Sequence, residues 1–257
     1  MQRKGLLLLT FLLSTSLAHA ENWKELKGDH FIVYYQGEEG FAREVVRKAE
    51  SYYQDISSDL GYARYSNFWQ WENRVKIYIY PTREEFIRVS NEPAWSEGVA
   101  DYTRKEIRSY MWSQGFLEAL LPHEMTHLIF RDYVGFKGEI PLWLDEGVAQ
   151  WEEPAKRAVV RKTMKSILEK GEAFSLSELT QLQLGGSTET DRAARFYIQA
   201  ASLVDFLNKE YGSDRFIGFC RGLRDGKNLN EALRFNYPTS MRNLDELEEK
   251  WKKYILK

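Results

Sequence analysis

His123-Glu124-Met125-Thr126-His127 sits within residues 116–133, a run in which Leu117, Leu120, Leu121, Leu128 and Ile129 recur at helical spacing. Two histidines four apart on a helix are neighbours on one face, about 5–6 Å apart at Cβ. Imidazoles so placed can grip one Zn²⁺ at about 2.0–2.1 Å. Glu124, one residue on, points beside such a metal rather than at it, which suits a general base acting on a water held there. With 4 His in 257 residues, chance gives well under about 0.01 such matches per chain, so the spacing is read as chemistry. Pro122 directly precedes the motif. A helix interior rejects proline because it removes a main-chain hydrogen bond. The helix is therefore expected either to begin or kink there, or to follow a separate turn, with both histidines within the next turn.

The chain differs on the two sides of this helix. Upstream, residues 30–35 and 75–80 are β-branched and aromatic and read as strands, the second ended by Pro81. Residues 41–60 have helical spacing, stopped by Gly61. Thr82 and Glu85 form a capping box for a short helix through residue 89. Residues 98–103 and 107–112, joined by Arg104-Lys105-Glu106, read as a hairpin at the edge of the sheet. Downstream the pattern is helical: 142–152, 155–170, 193–211, 214–221, 230–235 and 243–257, with 171–191 as a surface loop. The expected fold is α+β. A small mixed sheet with helices occupies residues 21–115, and a mostly helical part occupies residues 116–257, with the motif helix between them.

Composition narrows the function. Hydrophobic residues at 43% and charged residues at 29% exclude a disordered or collagenous chain. Lys plus Arg (36) nearly balances Asp plus Glu (38), so no basic field exists to recruit nucleic acid. One Cys excludes an internal disulfide. Residues 1–20 open on Arg3-Lys4, continue through Leu6-Leu7-Leu8-Leu9-Thr10-Phe11-Leu12-Leu13 and close on Ala18-His19-Ala20. That order reads as a secretory signal peptide, and its apolar stretch is short of the roughly 20 residues of a spanning helix. The mature chain is expected to have no membrane span and to be exported, to a bacterial periplasm or the extracellular space. It keeps three histidines: His30, His123 and His127.

A catalytic zinc needs a third protein ligand and an open position, and no histidine follows His127. Eighteen residues separate His127 from Glu146, which lies within Trp143-Leu144-Asp145-Glu146-Gly147-Val148-Ala149. This H-E-x-x-H, the eighteen-residue gap and W-L-x-E-G-x-A resemble the gluzincin zinc metallopeptidases of the peptidase MA-like family. Thermolysin and the M1-type aminopeptidases are distant members of that group. The resemblance extends loosely to Tyr197-Ile198-Gln199-Ala200-Ala201-Ser202, a Tyr-x-x-Ala-x-Ser segment. It implies a thermolysin-like zincin domain holding one Zn²⁺ on His123, His127 and Glu146. Glu124 would be the general base, and the substrate a peptide or protein. In related enzymes a Tyr or His after the third ligand donates to the oxyanion, which points to Tyr197 here. The amino-terminus-binding glutamate of aminopeptidases is missing from Gly98-Val99-Ala100-Asp101, so an endopeptidase is expected. Its substrate would add antiparallel to an edge strand at 107–112. The rival reading is a metal-binding pseudo-enzyme or partner-binding envelope module of the same fold, which would have no use for Glu124.

Other residues have quieter expectations. Gln150 is a candidate to orient a ligating histidine, while Asp145 reads as a helix-cap residue. His30 and Cys220 read as structural, the latter as a small buried hydrophobe. Phe68-Trp69-Gln70-Trp71 is expected to tuck against the core rather than form a glycan platform. Arg131, Arg157, Arg161 and Lys162 read as a solvated helix face.

Overall fold

The alternation of Phe31, Val33 and Tyr35, and of Val75, Ile77 and Ile79, puts one face of each strand into the core, where all six are buried. The computed structural model describes residues 23–61, 69–91, 96–111, 115–137, 139–184 and 190–257. The expected signal segment, 1–20, lies outside these residues, as do Phe68 and Trp112. Five strands are described: β1 (Lys24–Lys27), β2 (Phe31–Tyr35), β3 (Val75–Tyr80), β4 (Gly98–Asp101) and β5 (Glu106–Tyr110). They form one sheet in the order β1-β2-β3-β5-β4. The inner three are parallel, with Val33, Ile77 and Ile107 in register, and the two edge strands are antiparallel to their neighbours. Two expectations need correction. Residues 107–112 do not supply the edge strand, because β5 pairs with β3 and is interior; β4 is the edge. The strand β1 was not expected, since Lys-Glu-Leu-Lys has no apolar alternation; main-chain pairing to β2 and a charged edge explain it.

One sheet face is covered by α1 (Glu39–Asp59), which packs on β2, and by a helix that packs on α1 and β4. This second helix is α3 (Leu121–Val134) and carries the histidine motif. The other face is covered by α2 (Arg83–Ser90), whose Phe86 meets Tyr80 and Tyr110 in a smaller apolar cluster. The Thr82 hydroxyl accepts from the Glu85 N–H, as a cap should.

The remaining helices are α4 (Leu142–Glu152), α5 (Pro154–Glu169), α6 (Leu176–Gln181), α7 (Thr190–Tyr211), α8 (Ser213–Arg224), α9 (Leu229–Asn236) and α10 (Leu244–Leu256). Helix α6 lies inside the stretch expected to be loop; a Ser175–Glu178 capping box starts it. Helix α7 is central, with α4, α5, α8 and α10 packed on it. Two of its buried polar side chains tie it to neighbouring helices: Asp205 accepts from Trp151 Nε1 at 2.9 Å and Tyr254 Oη at 2.8 Å, and Ser202 accepts from Trp251 Nε1. Among the described residues no helix is long and apolar enough to cross a membrane.

Candidate metal centre

The proline before the motif is accommodated by a π turn over Phe116–Leu120. The Leu121 N–H donates to the Phe116 carbonyl, five residues back. Pro122 then falls in the first turn of α3, where a missing N–H costs little. The helix therefore continues straight into His123 and His127.

Both imidazoles are fixed through Nδ1. His127 Nδ1 lies 3.0 Å from Asp145 Oδ1, and His123 Nδ1 lies 2.9 Å from Glu153 Oε1. An ionised carboxylate only accepts, so each Nδ1 donates, and each Nε2 is left to offer its lone pair once the ring is neutral. The two Nε2 atoms face each other at 3.2 Å, and Glu146 Oε2 stands 3.7 Å from His123 Nε2. Two ligands about 2.0–2.1 Å from a tetrahedral ion stand about 3.3–3.4 Å apart, so this donor set fits one ion. His123, His127 and Glu146 could thus hold a metal, their ligand atoms all lying within 4.8 Å of one another.

Electrostatics favour a cation at this point. Burial works against a charge on His127, yet Asp145, Glu124 and Glu146 outweigh it and raise its pKa to about 9. Glu146 is pushed up, first by burial, against the pull of the two histidines. A metal would relieve both, taking the place of the His127 proton.

A cleft of about 390 Å³ opens onto His123 and Glu124, walled by Gly98 of the edge strand, by Leu120, and by Gln150 and Lys156. Tyr197, half-buried on α7, has its pKa raised by burial and then by the charge of Glu146. The approach of α7 depends on Gly147: a Cβ there would lie 2.9 Å from the Ala200 carbonyl oxygen. Glu146 and Tyr197 thus stand on two helices packed directly on each other.

Several residues do more, or otherwise, than their sequence suggested. Asp145 is no cap, since Pro141 occupies that position; it holds His127. The contact to His123 is made by Glu153, not by Gln150, which lines the cleft. Glu153 stands one residue past α4, and its only sequence signal is an acid two turns after Glu146. Tyr102 was missed altogether. At the β4–β5 turn, its ring meets His127 edge-on at 6.3 Å between centroids, and burial, then Asp145 and Glu124, push its pKa up. The cation set is a solvated face only in part: Arg161 and Lys162 are exposed, whereas the half-buried Arg131 stacks on Tyr102 and Arg157 on Trp151. His30 is bound by Glu50 and stacked on Tyr53, and Cys220 is fully buried. Trp69 is buried and donates to Asp132, but Trp71 is 81% exposed, so only one of the two tryptophans packs on the core.

An α+β chain with a His-His-Glu cluster beside a sheet edge has the make-up of a metallopeptidase. The model of the Peptidase MA superfamily matches residues 67–257, well over half of the chain, and the chain belongs to that superfamily. No curated protein matches it.

Proposed function

We propose that the protein is an exported, zinc-dependent endopeptidase. The observation that carries this reading is the convergence of both Nε2 lone pairs and Glu146 on one point, with Glu124 on the same cleft. When bound there, Zn²⁺ supplies Lewis acidity, lowering the pKa of a water to about 7. His123, His127 and Glu146 hold the ion, while Glu153 and Asp145 fix the rings. Glu124 takes the proton of the attacking water and passes it to the leaving amine. Tyr197 donates a hydrogen bond to the carbonyl oxygen as it gains charge. The peptide adds antiparallel to β4, whose outer edge is unpaired among the described residues. This edge replaces the β5 strand expected from sequence. Gly98, Val99, Ala100 and Asp101 offer no glutamate to capture an amino terminus, which favours internal cleavage. Export rests on the pattern of residues 1–20.

The test is cleavage of a random peptide library before and after chelation. Hydrolysis that stops with chelator, returns with one equivalent of Zn²⁺ and releases internal fragments is expected. Hydrolysis indifferent to chelation, or release of single amino-terminal residues, would contradict the reading.

A further inference from the structure

Tyr102 stands where the edge strand ends and is held there firmly. Asp101 Oδ1 accepts from the Thr103 and Arg104 N–H groups at 3.0 Å each, closing the turn. Lys105 Nζ pairs with Asp132 of α3 at 2.7 Å, and the Arg131 guanidinium lies 4.5 Å from the Tyr102 ring centroid. Arg131 is one turn past His127 on the same helix. The hairpin is thus anchored to the metal-bearing helix at two points, and the phenol is set beside His127. Its ring contacts are satisfied, yet its hydroxyl meets no acceptor among the described residues, and the residue is 37% exposed. A fixed, accessible donor without a partner next to a reaction centre is available to a ligand.

Strand polarity says which part of the ligand. A peptide antiparallel to β4 lays its C-terminal side over Gly98 and its N-terminal side over Asp101 and Tyr102. The cleft walled by Gly98 and Leu120 then serves the residue after the scissile bond, and Tyr102 faces the acyl side. We propose that Tyr102 is a substrate-contacting residue, its hydroxyl donating to a backbone carbonyl on the N-terminal side of the scissile bond. This rests on the peptidase reading above and gives that reading a direction along the edge strand.

The test uses full-length, zinc-loaded protein and a peptide that the wild type cleaves. Two phosphinic analogues of it serve as probes, one extended by several residues on the N-terminal side and one truncated there. Tyr102→Phe keeps the stacked ring and removes only the donor. It is expected to lower kcat/KM about tenfold and to weaken the extended analogue about tenfold. The truncated analogue, zinc content and Tm should stay at wild-type values. Equal binding of both analogues by Tyr102→Phe and wild type would overturn the proposal. So would equal weakening of both, which would mean that the hydroxyl acts on the metal centre. A loss seen only in Tyr102→Leu, with weaker zinc binding, would make Tyr102 a cover for His127 and overturn it too. Wild type that cleaves no peptide sinks the peptidase reading itself, an outcome distinct from all of these.

Discussion

Two carboxylates decide how the imidazoles present themselves. Asp145 at one Nδ1 and Glu153 at the other turn both Nε2 atoms toward one point. Asp145→Asn is therefore expected to weaken zinc binding about 10–100-fold in a chelator competition; an unchanged affinity would show that the contact is incidental. Asp145, together with Glu124 and Glu146, also sets the pH dependence. With the metal-free His127 pKa raised to about 9, a proton competes with zinc throughout the neutral range. Zinc affinity should then rise about tenfold per pH unit between pH 7 and 8.5, whereas an ordinary histidine would level off above about 6.5. The motif residues were legible from sequence because they follow a local helical period and a fixed gap. Asp145 and Glu153 were not, because their partners lie on a different helix and only packing reveals the pairing.

At the scale of elements, the packing of α4 on α7 brings together the helices that carry Glu146 and Tyr197. Gly147 permits it. Gly147→Ala would put a methyl 2.9 Å from the Ala200 carbonyl oxygen, a backbone atom that cannot rotate away. The expected cost is about 1–3 kcal/mol in urea unfolding, with a further loss of activity as Tyr197 retreats. Wild-type stability in that variant would mean that the helices slide freely. Helix α4 was readable to the residue at both ends, because its apolar face and flanking prolines mark it. The strand order was not. Both arms of the hairpin look alike in sequence, and only the burial of Ile107 against Ile77 sends β5 inward and leaves β4 as the edge. That exchange matters for function, since the edge is where a peptide can add.

Across the whole molecule, Glu152 joins the sheet-bearing part to the helical part. It is buried between Asp59 and Asp55 of α1 and Arg157 of α5, and one of its oxygens has no partner. Burial, then Asp59, raises its pKa to about 8, against the pull of Arg157. A carboxyl with a raised folded-state pKa destabilises the fold once the unfolded chain can ionise, so the penalty grows from about pH 4.5 to 8. Glu152→Gln should therefore raise Tm little at pH 5 and clearly at pH 8; a gain that shrinks with rising pH would contradict this. The class of the molecule was legible at this scale from a scarcity: with so few histidines, two of them one turn apart around a glutamate stand out. The continuous core from Phe31 to Ile255 was not, because long-range packing leaves no local period.

In the proposed function, His123, His127 and Glu146 hold zinc so that Glu124 can drive peptide hydrolysis. It is tested most directly by measuring zinc content and peptide cleavage in the same preparations of wild type and Glu124→Gln. One zinc per chain is expected in both, with a fall in kcat of about 10²–10⁴-fold in the variant. A wild-type protein that binds no zinc, or a Glu124→Gln variant that cleaves at the wild-type rate, would contradict it.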